Sequence, residues 1–126
     1  MKKKASTPKS NPDVWKTTEA ALLRDLDPVL IEAYEKLKGF SLQLGEQKVY
    51  ASGKAVMFSK KTCFFFVRPR KTFLEVVVFL PTSKTRAGFK SARAVSKSKY
   101  AHTFKLVHAD QVEGALTKSV ADSYAL

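Results

Sequence analysis

Residues 73–80 read Phe73-Leu74-Glu75-Val76-Val77-Val78-Phe79-Leu80. Successive side chains of a strand point to opposite faces, so the even set, Leu74, Val76, Val78 and Leu80, makes one wholly aliphatic face. The odd set contains Glu75. The even face is therefore expected to meet helices, and Phe73, Val77 and Phe79 need a cover of their own, from the C-terminal part or from a partner subunit.

Outward from this strand, further runs are dense in β-branched and aromatic residues and are separated by turn residues: Lys48–Ser52, Ala55–Ser59, Cys63–Arg68, Lys90–Ser96 and His102–Val107. Connections as short as Lys60-Lys61-Thr62 and Pro69-Arg70-Lys71-Thr72 fit hairpins, which makes consecutive strands antiparallel. An antiparallel sheet of about five strands is predicted.

Helical signals flank the strands on both sides. A short helix is expected over Thr18 to Asp25. Asp27-Pro28 then supplies an N-cap acceptor followed by proline at the first helical position, where its missing N–H costs nothing. Leu30, Ala33, Tyr34 and Leu37 follow on one face, and Gly39 is the expected left-handed stop. Near the C-terminus, Asp110-Gln111-Val112-Glu113 reads as a capping box with Asp110 as N-cap. Val112, Ala115, Leu116, Ser119, Val120 and Tyr124 keep helical spacing behind it. The fold class is thus α+β, with an N-terminal helical segment and a C-terminal helix packed mainly on one face of the sheet. With 126 residues, 44% of them apolar, the chain suits one domain over 17–126, preceded by a disordered basic tail over 1–16.

Several function classes have little support. No window approaches the ~20 apolar residues of a membrane span, and Met1-Lys2-Lys3-Lys4 leads into Ser, Thr and Pro rather than a signal-peptide apolar stretch; a cytoplasmic location with no membrane partner is expected. The single cysteine, Cys63, excludes an internal disulfide and a multi-cysteine zinc site. It opens the run Phe64-Phe65-Phe66-Val67 and reads as a small buried hydrophobe. Hydrolytic metal chemistry needs convergent carboxylates or histidines, and the strand region offers only Glu46 and Glu75. His102 and His108 lie six residues apart, roughly 20 Å along a strand, too far for one ion. Ser52-Gly53-Lys54 lacks the first glycine and the helix of a phosphate-binding loop. No catalytic residue, metal or cofactor is expected.

The positive charge is what remains. The chain carries 23 basic and 11 acidic residues, a formal net charge of +12. The excess is focused: residues 46–108 hold fourteen basic groups against Glu46 and Glu75, so this stretch alone matches the charge of the whole chain. Lys60, Lys61, Arg68, Arg70 and Lys71 flank the aromatic strand, and Lys84, Arg86, Lys90, Arg93, Lys97 and Lys99 form a second run broken by Ser, Thr and Ala. Arginine forks onto phosphate, lysine supplies point charge, and small hydroxyls complete a backbone-reading surface with little base information. Tyr100, between Lys99 and His102, is the candidate for base stacking, while Phe65 and Phe104 are expected in the core. The bland alternative is a solvated basic surface with no partner.

At Phe64-x-x-Val67-x-Pro69-Arg70-Lys71, followed by the aliphatic strand through Leu80-Pro81, the sequence resembles a bacterial domain-of-unknown-function family often labelled "predicted transport protein". The strand Val56-Met57-Phe58-Ser59-Lys60, the stretch Arg93-Ala94-Val95-Ser96 and the helix Asp110–Ala125 extend the likeness over about residues 28–126. Ala94 replaces the family's usual acid, and Lys99-Tyr100-Ala101-His102 stands where a Gly-His-Trp-Gly-like loop is usual. The resemblance implies a compact α+β domain, sometimes attached to nuclease-like or other nucleic-acid-associated partners, and carries over no catalytic residue. The resulting expectation is a non-enzymatic module that binds nucleic acid or another polyanion through a basic strand-and-loop surface. The alternative is a protein-interaction or homodimerisation domain that uses an exposed apolar strand face.

Overall fold

The computed structural model describes residues 18–126; residues 1–17, which contain the basic tail expected over 1–16, lie outside the described residues. Helix α1 (Glu19–Leu23) starts at Thr18, whose Oγ1 accepts from the Ala21 N–H at 3.0 Å. Helix α2 (Pro28–Gln43) starts as the sequence reads, with Asp27 Oδ1 accepting from the Val29 N–H at 2.9 Å and Pro28 at N1. Its stripe Leu30, Ala33, Tyr34 and Leu37 is buried.

Gly39 does not stop the helix. It is exposed mid-helix, and α2 runs on to Gln43 because the residues beyond it have partners. Phe40 and Leu44 pack on the core, and the buried Ser41 donates to Gln47 Oε1 at 2.6 Å while Gln47 Nε2 donates back to Ser41 O at 2.7 Å. The reversal falls at Gly45, with φ 146°, where a Cβ would collide with the Tyr124 hydroxyl.

Six strands follow, one more than expected: β1 (Lys48–Ser52), β2 (Ala55–Ser59), β3 (Cys63–Pro69), β4 (Leu74–Leu80), β5 (Phe89–Ser96) and β6 (Lys99–Leu106). They form one sheet in the order β1-β2-β3-β4-β6-β5 with every neighbouring pair antiparallel. Consecutive strands pair through β4, but β6 is inserted between β4 and β5. Burial explains the choice. His102, Phe104 and Leu106 of β6 are buried, whereas most of β5, including Lys90 and Arg93, is exposed, so the more apolar strand takes the interior place and the charged one the edge.

The segment over 81–88 makes this crossing and is tied at both ends. His102 Nε2 donates to Thr82 O at 2.6 Å, and Arg86 Nη1 reaches Asp122 Oδ2 at 2.8 Å and Ser119 Oγ at 3.1 Å on the C-terminal helix. At its end, Gly88 has φ 85°, and a Cβ there would sit 2.9 Å from the Phe104 ring.

The C-terminal helix α3 (Gly114–Ala125) begins three residues later than the capping box at Asp110 predicts. His108 caps instead, its Nδ1 accepting from the Asp110 N–H at 3.0 Å, while Gln111 Oε1 accepts from the N–H groups of Val107 and His108. The result is a single 3-10 turn over Ala109–Gln111 that drives Ala109 and Val112 into the core before α3 starts without a side-chain cap. Leu116, Ser119, Val120 and Ser123 then face inward. As expected from their parity, Leu74, Val76, Val78 and Leu80 are buried in one core with Val56, Phe58, Phe65, Val67 and the helix stripes. This is the closed face of the sheet.

Candidate functional site

Among the described residues no helical layer covers the opposite face. Cross-strand register assembles it: Tyr50 opposite Met57, Met57 opposite Phe66, Phe66 opposite Val77, and Val77 opposite Thr103 run from edge towards edge. Alongside, Arg68 faces Glu75, Glu75 faces Lys105, Phe79 faces Ala101 and Ala101 faces Arg93. A groove of about 310 Å³ crosses the middle of this open face, between Phe66, Arg68, Val77 and Phe79 on one side and Arg93, Val95 and Thr103 on the other. Val77 is only 5% exposed although no helix covers it; the flanking rings of Phe66 and Phe79, 6.0 Å apart, shield it.

Each of the half-buried rings carries a cation. Lys99 Nζ lies 4.6 Å from the centre of the Phe79 ring, Lys105 Nζ 4.9 Å from Phe73, and Arg68 Cζ 5.7 Å from Phe66. A ring face is electron-rich, so a cation rests there without a counter-charge. By parity the open face bears Lys48, Arg68, Arg93, Lys99 and Lys105 against one acid, Glu75. That carboxylate is already engaged. Its Oε1 accepts from Arg70 Nη2 at 3.0 Å and Nε at 3.2 Å, leaving Arg68 Nη1 at 3.9 Å, and the Arg68 Nε–H has no partner among the described residues. One carboxylate shared by two guanidiniums leaves a local positive surplus.

The cations and the ring singled out in the sequence separate into four groups. Arg68, Arg93 and Lys99 lie on the open face. Lys61, Lys71, Lys84, Lys90 and Lys97 are exposed on turns, on the 81–88 segment or on the β5 edge, and Arg70 caps the β3–β4 turn through Glu75. Lys60 and Arg86 are engaged internally: Lys60 Nζ donates to Tyr124 O at 2.6 Å and Arg86 holds α3. Tyr100 pairs with Leu80 and Ala94 on the parity of the closed face, so it does not share the groove. Phe65 and Phe104 are in the core.

Phe79, already expected on an uncovered apolar face, is joined there by Phe66 and Lys105, which were not among the candidates. Their signal was the odd parity of β4 carried across to its neighbours, which needs the register of β3 and β6. Cys63 is half-buried, its Sγ–H donating to Phe65 O at 3.2 Å. Burial pushes the thiol above its ordinary pKa despite nearby hydrogen bonds and Lys99, which pull the other way.

Together these features define a small α+β domain with one covered and one open sheet face. Over residues 19–126 the chain matches the family described as Domain of unknown function (DUF5655), and it belongs to that family. The match begins in α1, earlier than the resemblance from about residue 28. No curated protein and no solved structure matches the chain. Among the described residues no helix is long and apolar enough to cross a membrane.

Proposed function

We propose that the chain is a non-enzymatic binding module whose open sheet face takes single-stranded nucleic acid, with phosphates on the cations and bases on the rings. The observation that carries this reading is a sheet face, uncovered among the described residues, with three half-buried phenylalanine rings, each under a cation, and a single carboxylate already engaged by Arg70. Lysine and arginine stems are flexible. When a phosphate draws Lys99 or Arg68 aside, the freed ring face accepts a base, and stacking contributes about 1–3 kcal/mol per base. A duplex keeps its base faces inside its own stack, so it would gain only the charge contacts.

Fluorescence anisotropy of labelled single-stranded DNA, RNA and duplex across a salt series tests the reading. The expected result is tighter binding of single strands and a log–log salt slope of about −0.7 per phosphate contacted. Arg93→Ala and Lys105→Ala should each flatten that slope, whereas Phe79→Ala should weaken binding at constant slope. Absence of binding near physiological salt, or slopes that these substitutions leave unchanged, would overturn it.

The second reading is an interface with another protein, and Tyr50 and Val95, each 46% exposed at opposite sides of the same face, favour it. Two copies placed face to face would oppose the same cations, so an acidic partner suits the surface better than a homodimer. A tight dimer by light scattering, converted to a folded monomer by Phe79→Glu, would establish self-association instead.

A further inference from the structure

The groove does not end at Phe79. That ring also forms one wall of a cavity of about 420 Å³ at the end of the sheet, where β3 begins and β4 finishes. Lys60, Lys61 and Lys99 stand around this cavity with the hydroxyls of Thr62, Ser96 and Ser98, and among the described residues no aspartate or glutamate lines it. None of the three lysines makes an ion pair among the described residues.

Helix α3 closes the far side. Ser123 Oγ lies 2.8 Å from Phe64 O and 2.5 Å from Phe79 O, sharing its proton between a carbonyl of β3 and one of β4 and pinning the helix across the end of the groove. A chain lying along Phe66 and Phe79 therefore runs into a pocket closed on the α3 side, where the lysines and hydroxyls stand beside apolar walls of Phe64, Leu80 and Pro81. An internal phosphodiester must leave room for the chain to continue, and a terminal phosphate need not. It also carries more charge than an internal one near neutral pH, with a second pKa of about 6.

We propose that this end cavity seats the terminal phosphate of a single strand whose bases lie on the open face. The module is then a reader of strand ends rather than of strand interiors. This rests on the single-strand reading of the open face and adds polarity to it: the end enters at Lys61 and Lys99, and the body extends over Phe79 towards Phe66.

The test compares one oligonucleotide sequence in four forms, 5′-phosphorylated, 3′-phosphorylated, hydroxyl-ended and circular, by anisotropy competition against the full chain. A mononucleotide serves as a fifth competitor. One phosphorylated end should bind about fivefold tighter than the hydroxyl-ended form, the scale of a solvent-exposed ion pair, and the circle should bind no better than the latter. Lys61→Ala should remove the preference. Lys61 is exposed on a turn, and Lys99→Met, which keeps an apolar stem over Phe79, provides a second variant without a charge.

Equal binding of the four forms overturns the end-reading proposal while leaving the open-face reading intact. A mononucleotide that competes as well as the phosphorylated strand overturns it in favour of a small-phosphate pocket. Failure of every form to bind overturns both readings.

Discussion

The two faces of β4 differ more than their composition suggests. Leu74, Val76 and Val78 are fully buried on one side, while Glu75 and Phe79 stay half-exposed on the other around the nearly buried Val77, one residue apart in the same backbone. The closed face contacts helices whose own stripes are complementary. The open face has only side chains to cover it, and the longest of these are cations lying on rings. Burial by neighbouring layers gives stability that does not depend on salt. Cover by mobile charged stems can be exchanged for a ligand.

The largest test of this contrast is a pair of adjacent phenylalanines. Phe65 is fully buried and stacked on Phe58 at 4.2 Å between ring centres, and Phe65→Ala should cost about 3–5 kcal/mol in urea unfolding. Phe66→Ala, on the open face, should cost roughly 1 kcal/mol and weaken oligonucleotide binding. Equal losses of stability would break the distinction between the faces.

A smaller effect separates structural from surface cations. Arg86→Ala removes a partly exposed ion pair and a hydrogen bond to α3; it should cost about 1 kcal/mol and leave the salt slope of binding unchanged. Arg93→Ala should do the reverse. A flattened slope in Arg86→Ala would place the 81–88 segment at the interface.

The smallest effect concerns the join between α1 and α2. Burial opposes the Glu19 carboxylate, but hydrogen bonds from Lys38, at 2.7 Å, and from the Tyr34 hydroxyl outweigh it, together with the Lys38 charge, and hold its pKa below 4.5. A lowered folded-state pKa means that this contribution is complete above the ordinary carboxylate range and is lost as pH falls through the folded-state value. Acid titration of stability should therefore show a shallower decline below about pH 4.5 in Glu19→Gln than in the unmodified chain. Parallel curves would show that the tie contributes nothing.

Much of the architecture was legible because it depends on local pattern. The even residues of β4, the Asp27-Pro28 start and the Leu30–Leu37 stripe require no knowledge of distant residues. The departures are all places where a tertiary partner overrides a local signal. Gly39 stays helical because Ser41 finds Gln47; Asp110 yields the cap to His108 because Gln111 returns to Val107; β6 displaces β5 because its buried face is the more apolar.

The candidate site was legible as a charge excess and as the odd face of residues 73–80, but not as one surface. Whether Arg86 faces a ligand or Asp122, and whether Phe66 or Tyr100 shares a face with Arg93, is decided by strand order and register. Adjacent residues in a strand lie on opposite faces, so an offset of one position moved the expected stacking ring from the open to the closed side.

The insertion of β6 between β4 and β5 also divides the sheet into two locally connected blocks, a β1–β4 meander and a β5–β6 hairpin, joined along one seam from Leu74↔Leu106 to Leu80↔Tyr100. The groove straddles that seam, with Phe66, Arg68 and Phe79 on one bank and Arg93 and Thr103 on the other. Neither block forms the groove alone. Any ligand that bridges the banks acts as a staple between them, and its binding energy appears as slowed amide exchange along β4 and β6.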